Sequence, residues 1–537
     1  MECRALPFRQ LPHQAKLFIQ FLDSFSSVKQ FYGHPPKLEA AKKVARSLEY
    51  PSERRVKVAE ILGQQNAAFG AGEAARESIR RLLNGAAAVV SGQQVGLFSG
   101  PAYAIYKAVT AIQIAEQLRK AGVDAVPVFW MATEDHDLEE VRTSTWFHEG
   151  KLTRFELPGN GDAGLPVGRI TLGAQVPEMV DEASRILTAA GGEFVAALFR
   201  ESYGAEETYG SSFGKLFARL FAEQGLILLD PLDARLRRIG RDVLRRAVEE
   251  RDELNEALLS RGKELDKAGF DAQVKVTARS TLIFGMEKGR RQPVAVGGGK
   301  FLCGEQTWTK EQLRQAVEAA PEEFSPNALL RPVLQDFLLP TAAYIAGPAE
   351  IAYYAQAEVI YQKLLGRMPV ILPRGAFTML DAKAEKLLRR YGLKVEDTWR
   401  GSQELRRKME TSSVPRTLGK NFDKTERDSA RMLAQLKKQI VRLDPTLSGA
   451  VETAQKKIAF QLEKLKRKTG KAQALRSGLI AAHQEFLESL LYPHKVLQSR
   501  ELCFLPFLAA WGAGGLKELQ SLAVSSKLNE HRIVRIP

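Results

Sequence analysis

Cysteine is scarce in this sequence. Only Cys3, Cys303 and Cys503 occur, and no two of them form a Cys-x-x-Cys pair, so the sequence predicts neither a disulfide framework nor a thiolate zinc site. The N-terminal residues lack the basic-then-apolar pattern of a secretory signal. The uncharged stretch 502–516 is too short to span a bilayer, and Pro506 and several glycines interrupt it. We therefore expect a soluble, cytoplasmic protein that has no membrane partner.

Acidic residues are outnumbered by basic ones. The chain has 63 Asp and Glu against 78 Lys and Arg, a formal net charge of +15 and a pI of about 9.5. This balance favours anionic partners, such as nucleotides, polycarboxylates or nucleic acid. Much of the excess lies in the C-terminal helical region, where a solvated basic helix face is the simpler interpretation. The basic run 464–471 has no aromatic residues beside it for stacking on bases, so we do not predict nucleic-acid binding.

The central part of the chain alternates between short apolar runs and helical patterns. With 537 residues, the chain is long enough for two or three domains. Such alternation predicts an α/β fold in which helices cover a parallel sheet. Five strands of this kind would suit a Rossmann-like order of 3-2-1-4-5. The candidate strands are 86–91, 125–131, 226–230, 342–346 and 369–373.

Two interruptions and a change of character after residue 380 suggest the domain organisation. We expect a Rossmann-like core over 1–380, which includes an N-terminal helical segment. Insertions are expected at about 147–202 and 254–327, the second of them with a small β-meander. The extended runs in these insertions are 152–157, 167–172, 272–276, 280–284 and 292–296.

The region 381–490 reads as helical. A charged amphipathic helix over 423–443 ends at Asp444-Pro445, and a second helix runs from 450 to about 490 with mostly three- to four-residue apolar spacing. Together they predict an antiparallel coiled-coil hairpin over 423–490. Because two helices alone bury little surface, the hairpin is expected to have a partner: the sheet domain, a second copy of the chain, or both. The segment 491–537 is expected to pack back on the core.

The first candidate site follows the first predicted strand, in Ser91-Gly-Gln-Gln-Val-Gly-Leu-Phe-Ser-Gly-Pro101. Its glycines would let the backbone approach a ligand closely, and Ser99 could cap the helix that follows. Free amides at the start of that helix favour phosphate or carboxylate. An ordinary glycine turn with helix caps is the alternative. The substrate-binding candidates are Gln93, Gln94, Ser99, Gly100, Tyr103 and Lys107.

The second candidate site follows the second predicted strand. Glu134, Asp135, His136 and Asp137 place four titratable groups in one turn, directly after an apolar run that contains Trp130. They could hold a substrate ammonium, bind Mg²⁺ or accept a proton, with His136 as the preferred base. Acidic capping of a helix is the alternative. We predict these four as catalytic residues and Trp130 as a substrate contact.

The third candidate site surrounds the fourth predicted strand. Arg331 could pair with a ligand carboxylate through two hydrogen bonds, or it could form a buried ion pair with Asp336. The fourth strand ends in Gly347-Pro348 and opens a helix with Glu350 in its first turn. Arg374, after the last strand, is a further anion-binding candidate. The substrate-binding candidates here are Asn327, Arg331, Gln335, Tyr344, Gly347, Glu350 and Arg374.

Four segments of the chain resemble the bacillithiol biosynthesis cysteine-adding enzymes. These segments are 91–107, 127–140, 327–356 and 491–507, and the strings Gly-Gln-Gln-x-Gly-Leu-Phe-x-Gly-Pro and Glu-Asp-His-Asp are the most specific. The resemblance covers essentially the whole chain. It implies a Rossmann-like core with two insertions, akin to class I aminoacyl-tRNA synthetases and nucleotidyltransferases, and a coiled coil that makes a homodimer.

The resemblance also implies a reaction, in which cysteine is joined to glucosaminyl-malate through an amide bond. Forming an amide from a free carboxylate requires activation, for which we expect ATP, with Mg²⁺ as a further candidate. The chain departs from the synthetase pattern because no His-x-Gly-His occurs, and 93–101 occupies that location. Two alternatives stay open: a nucleotidyltransferase-like enzyme that acts on another sugar or acid, and a non-catalytic coiled-coil scaffold.

Overall fold

The computed structural model describes residues 3–159 and 164–537. They form two compact units. The first comprises Met1–His148, Leu152–Met379 and Ser499–Pro537, and the second comprises Glu149–Lys151 and Leu380–Gln498. None of the helices within the described ranges has the length and apolarity needed to cross a lipid bilayer.

A parallel five-stranded sheet forms the centre of the first unit. Its strands, in chain order, are β1 (Ala87–Gln93), β2 (Ala125–Met131), β3 (Ile227–Leu229), β4 (Thr341–Ala346) and β5 (Val370–Pro373). Their spatial order is β5-β4-β1-β2-β3, and every pair is parallel. The Rossmann-like order predicted from the sequence is therefore confirmed.

The strands read as apolar runs because they are buried along their whole length, as is usual for parallel sheets. Helix α1 (Tyr103–Lys120) connects β1 to β2 and packs on the sheet together with the N-terminal helix Leu38–Ser47. Ala41 and Ala111 share one buried cluster with Val89 of β1. Helices α2 (Tyr209–Leu220) and α3 (Pro348–Leu364) precede β3 and β5.

Short helices complete this unit. The N-terminal segment expected to be helical contains Lys16–Asp23, Leu38–Ser47, Ser52–Ala68 and Glu73–Leu83. Other helices are Leu138–Val141, Val176–Ala189, Glu193–Arg200, Ala234–Ile239, Arg241–Glu249, Arg251–Lys267, Lys310–Ala319, Arg331–Leu338, Gln498–Glu501, Leu505–Trp511 and Gly515–Leu522.

The second insertion contains a five-stranded sheet. Its order is Gln306–Trp308, Lys300–Cys303, Arg290–Gly297, Ser280–Glu287 and Phe324–Pro326, and all of its pairs are antiparallel. The strand expected over 272–276 is wrong. The side-chain amide of Gln356 accepts from the Val274 N–H at 2.8 Å and donates to its carbonyl at 2.9 Å, so it takes the place of a strand partner.

The first insertion contains one of its two expected extended runs and two helices that were not expected, Val176–Ala189 and Glu193–Arg200. Thr143–His148 and Lys151–Glu156 form a two-stranded sheet. The extended run expected over 167–172 is instead a 3₁₀ turn, Val167–Arg169, followed by one isolated bridge at Thr171.

A three-stranded sheet that involves both chain ends was not predicted. Cys3–Pro7 pairs antiparallel with Glu530–Arg535, and Ala376–Leu380 lies on the other side of Glu530–Arg535. The segment from Ser499 onward thus belongs to the same compact unit as the N-terminal strand.

The second unit is helical. A short turn at Pro445–Leu447 joins helices Arg416–Leu443 and Ser448–Ser477, which lie antiparallel. Two ion pairs connect them: Lys437 with Glu452 at 2.7 Å, and Lys466 with Asp423 at 2.8 Å. The second helix is shorter than predicted because Gly478 adopts a positive φ of 65° before the next helix begins. The remaining helices are Ala382–Tyr391, Val395–Thr398, Ser402–Ser412 and Leu479–Leu491.

Candidate active site

A cavity of about 720 Å³ lies at the carboxyl ends of the parallel strands. This is the edge at which open α/β sheets bind their ligands. Candidates from all three predicted sites line it together: Gln93, Gln94, Tyr103, Lys107, Trp130, Glu134, Asp135, His136, Asn327, Arg331, Tyr344, Gly347, Glu350 and Arg374. Ser99, Gly100, Asp137 and Gln335 do not line it.

A buried ion pair between Lys107 and Glu350 connects two of the predicted sites. The Lys107 Nζ lies 2.5 Å from Glu350 Oε2, and it also donates to the Gly92 carbonyl at 2.7 Å and to Gln93 Oε1 at 2.8 Å. Glu350 also accepts from the Tyr344 hydroxyl and the Gly347 N–H, both at 2.6 Å. A Cβ at Gly347 would lie 3.2 Å from the Glu350 carboxylate, so glycine makes room for the pair.

Burial and the opposite charge of the partner act in opposite directions on the pKa of each residue in this pair. Burial lowers the pKa of Lys107, although the Glu350 carboxylate opposes this effect. Burial raises the pKa of Glu350, but the nearby Lys107 charge and the hydrogen bonds to the carboxylate outweigh it, so the pKa of Glu350 lies below its ordinary value. Glu350 is therefore an anion at neutral pH and a poor proton acceptor.

Two arginines line the cavity beside this pair. Arg331 donates to the Tyr353 hydroxyl at 2.7 Å and to Gln335 Oε1 at 3.1 Å. Gln335 is fully buried, so it supports the guanidinium from behind and does not contact the cavity. The expected alternative pairing of Arg331 with Asp336 is not found, because Asp336 accepts from Gln335 and Tyr361. Tyr353 was missed, although its position three residues after Glu350 on α3 places both on one helix face.

Arg374 lies at the end of β5 and is 8% exposed. Its guanidinium donates to the Gly375 carbonyl and lies 5.6 Å from the centre of the Tyr103 ring. Burial, with a further contribution from Arg500, lowers the pKa of Arg374 to about 10. It therefore stays cationic at neutral pH, and its exposed edge is available to an anion.

The four residues predicted as catalytic have different environments. Glu134 is buried in an ion pair with Arg237, a residue that no sequence signal marked. Asp137 caps the short helix Leu138–Val141 by accepting from the Glu140 N–H, as the capping alternative proposed. Only Asp135 and His136 of this group present partly exposed side chains to the cavity.

His136 contacts an arginine of the second insertion. Its Nδ1 lies 3.1 Å from Arg291 Nη1, and because arginine only donates hydrogen bonds, Nδ1 is the acceptor. Burial lowers the pKa of His136, the Arg291 charge lowers it further, and Asp135 and Asp137 oppose the shift. The lone pair of the neutral imidazole is on Nδ1, and it already accepts a hydrogen bond from Arg291. His136 therefore does not suit the role of base that the sequence suggested.

Glu140 has the properties of a proton acceptor instead. It lies at the cavity rim and accepts from Gln94 Nε2 at 2.9 Å. Partial burial and the neighbouring carboxylates of Asp135 and Asp137 raise its pKa. The sequence offered a weak signal for it, since Glu140 follows the acidic turn by less than one helical turn.

The turn at Ser99 and Gly100 lies outside the cavity lining, and Ser99 does not cap the helix that follows. Ser99 is buried, its N–H donates to the Tyr203 hydroxyl, and helix α1 has no side-chain cap. The Ala102 N–H donates to the Leu502 carbonyl at 2.8 Å, so the C-terminal segment satisfies one of the amides at the start of this helix. Gly100 serves the turn itself, because its φ of 65° and ψ of −163° suit only glycine.

Two further groups complete the cavity. The Trp130 indole N–H is buried and has no hydrogen-bond partner among the residues that the structure describes. The second insertion adds Lys275, Thr277 and Arg279, which sequence analysis missed. Within residues 3–159 and 164–537, no cluster of three or more His, Cys, Asp or Glu side chains could hold a metal ion.

Seven lysines and arginines and four carboxylates line the cavity. A parallel sheet with a cation-rich cavity at its carboxyl edge defines an α/β protein of Rossmann-like fold that is suited to acidic ligands. Comparison with known families identifies it further. Residues 1–375 match the model "Bacillithiol biosynthesis BshC, N-terminal Rossmann-like domain", and residues 377–536 match the corresponding C-terminal coiled-coil domain. The chain belongs to the BshC family of bacillithiol biosynthesis.

Several proteins that are similar to this chain over nearly its whole length share one name. The chain is 40% identical to "Putative cysteine ligase BshC" of Koribacter versatilis, over 99% of both chains. It is 38% identical to the protein of that name from Solibacter usitatus, over 95% of this chain and 96% of the relative. The protein of that name from Salinibacter ruber is 30% identical, over 97% and 96%.

Proposed function

We propose that the chain is a ligase that joins the carboxyl group of cysteine to the amino group of glucosaminyl-malate, the last step of bacillithiol biosynthesis. The observation that supports this most is the full-length similarity to proteins named cysteine ligase, together with the cavity at the sheet edge. The product is an amide, and the reaction requires an activated carboxylate. ATP, accompanied by Mg²⁺, is the proposed source of that activation.

The charge of the cavity suits an acidic substrate. Malate carries two carboxylates, and Arg331 and Arg374 could each offer a planar fork of donors to one of them. Lys107 is held by three partners, so it contributes positive charge near these groups more than a free donor. The unpartnered Trp130 N–H is a further donor that a bound substrate would satisfy.

Proton transfer in the proposed reaction is assigned to Glu140. The substrate amine must lose a proton as it forms the amide, and a carboxylate with a raised pKa at the cavity rim suits that task. Glu134 and Glu350 are each held in an ion pair, which leaves Glu140 and Asp135 as the carboxylates open to substrate.

The test is direct. Purified protein is incubated with cysteine, glucosaminyl-malate and ATP, and the thiol product and the consumed ATP are measured by mass spectrometry. Product that requires all three compounds supports the proposal. No product and no ATP consumption would contradict it, and release of pyrophosphate with a different sugar or acid would favour the nucleotidyltransferase alternative.

We also propose that the hairpin makes a homodimer. The hairpin exposes large apolar side chains, among them Met432 at 68%, Leu443 at 86% and Phe460 at 64%. Apolar side chains exposed on a helical pair are usual where a second helix pair binds. Multi-angle light scattering of the purified chain should give twice the mass of 59.6 kDa, and replacing Met432 and Phe460 by glutamate should return it to the monomer mass. A wild-type monomer would refute this proposal.

A further inference from the structure

Arg291 is held rigidly by the second insertion. It lies on strand Arg290–Gly297 and is only 8% exposed. Its Nε donates to Ser325 Oγ at 2.9 Å, and its Nη2 donates to the Pro326 carbonyl at 2.7 Å. The guanidinium also stacks on the Phe284 ring, 3.9 Å from its centre. These three contacts leave the guanidinium little freedom.

A further N–H of this arginine points to the segment that carries Asp135 and His136. Arg291 Nη1 lies 3.1 Å from His136 Nδ1, and its nearest distance to Asp135 Oδ1 is 3.8 Å. A guanidinium has five N–H donors and no acceptor, so Nδ1 must offer its lone pair. In the neutral imidazole, the proton is then on Nε2.

We propose that Arg291 is a positioning residue that fixes His136 as a neutral hydrogen-bond donor, with Nε2–H available in the cavity. This role rests on the proposed ligase function. The acceptor would be the carbonyl oxygen of the activated cysteine, which gains negative charge as the amine attacks. As the C–N bond forms, Glu140 takes the proton of the amine, and the activating group would leave with the electron pair of its bond to the cysteine carboxyl carbon. The proton on Nε2 stays there throughout. In this proposal, the second insertion supplies Arg291, which sets the protonation state of His136 at the carboxyl edge of the sheet.

The charged groups that face His136 support this state. Arg291 approaches from the insertion, whereas Asp135 and Asp137 belong to the segment of His136 itself. Asp135 Oδ1 lies 3.7 Å from His136 Nδ1, and it already accepts from the His136 backbone N–H at 2.8 Å. Burial and Arg291 together outweigh the two carboxylates, so the imidazole stays neutral at pH 7.

The test uses ¹⁵N-histidine labelling of the full chain and long-range ¹H–¹⁵N NMR. The His136 signals are identified by their loss in His136→Gln. We expect the wild-type chain at pH 7 to show a neutral ring with the proton on Nε2. A proton on Nδ1, or an imidazolium, would overturn the proposal without any variant or substrate.

Variants then connect this state to activity. Arg291→Met should raise the pH at which His136 titrates and should lower kcat about tenfold or more with little change in KM, as is usual when a positioning partner is lost. Arg290→Met removes the neighbouring, exposed cation of the same strand, and it should change neither quantity. Equal kcat in Arg291→Met and wild type, or an unchanged His136 titration, would contradict the proposal. A wild-type chain that makes no product would refute the ligase function, while the NMR result would still decide the state of His136.

Discussion

Replacing Lys107 by methionine should destabilise the α/β unit strongly. The side chain is 4% exposed, and its ammonium makes three close contacts, with the Gly92 carbonyl, Gln93 Oε1 and Glu350 Oε2. Methionine has a similar length but no charge, so Lys107→Met leaves the buried Glu350 carboxylate without its ion-pair partner, with Arg331 and Arg374 as the remaining nearby cations. Removing one partner of a buried ion pair usually lowers the free energy of unfolding strongly.

The expected loss in the free energy of unfolding depends on the hydrogen bonds that Glu350 retains in the variant. Removing one partner of a buried pair costs about 3–5 kcal/mol. Glu350 keeps its hydrogen bonds from Tyr344 and Gly347, so we expect a loss of about 3 kcal/mol, at the lower end of that range. Glu350→Gln should cost a similar amount because it leaves the ammonium buried. Lys107→Met with Glu350→Gln should cost about 2 kcal/mol less than the sum of the single variants.

Urea denaturation followed by tryptophan fluorescence measures these losses. Of the five tryptophans, only Trp399 lies in the helical unit, so the signal reports mainly on the α/β unit. Lys120→Met is the matched control. Its pair with Glu116 lies on the same helix, but the lysine side chain is 71% exposed, so the loss should stay below about 1 kcal/mol.

The pH dependence gives a second check on the pair. The folded-state pKa of Glu350 lies below its ordinary value of 4.5, so its contribution is present above that pH and is lost as the pH falls through the folded-state pKa. The stability difference between wild type and Glu350→Gln should therefore shrink on acidification. Strictly additive single-variant losses, or a difference that does not change with pH, would refute the reasoning.

Three further predictions concern the cavity and its turn. Glu140→Gln should lower kcat about 100-fold and remove the acid limb of the pH–rate profile. In the wild type this limb should lie above pH 4.5, because the pKa of Glu140 is raised, and an unchanged profile in the variant would exclude Glu140 as the base. Arg374→Met should raise the KM for glucosaminyl-malate about tenfold or more, since a charge-assisted hydrogen bond contributes about 1.5–3 kcal/mol. The KM for cysteine should stay within about twofold, and equal effects on both substrates would contradict the assignment of Arg374 to the malate carboxylates. Gly100→Ala should cost about 1–3 kcal/mol in urea denaturation, because its φ of 65° strains any other residue, and a neutral result would count against that conformation.

The sheet could be predicted because its signals are local. Each of its five strands is an apolar run that begins and ends within about two residues of the predicted bounds. Parallel strands also carry the residues that follow them to one edge, so Gln93, His136 and Glu350 could be expected at a common site.

The partners of the site residues could not be predicted in the same way. Arg291 reaches His136 across 155 positions of sequence, and Arg237 reaches Glu134 across more than a hundred. Nothing in the sequence of the strand that carries Arg291 distinguishes it from an exposed arginine such as its neighbour Arg290. The capping role predicted for Ser99 failed for a related reason, since the Leu502 carbonyl, far along the chain, accepts from the Ala102 N–H at the start of the helix that Ser99 was expected to cap.

Locating the acidic substrate would test the central claim most directly. A crystal structure of the chain with glucosaminyl-malate should show the ligand in the cavity at the carboxyl ends of β1, β2 and β4. Its malate carboxylates should lie within hydrogen-bond distance of Arg331 or Arg374, and its amino group should lie near Glu140. Clear density for the ligand at another surface, with this cavity empty, would contradict the account.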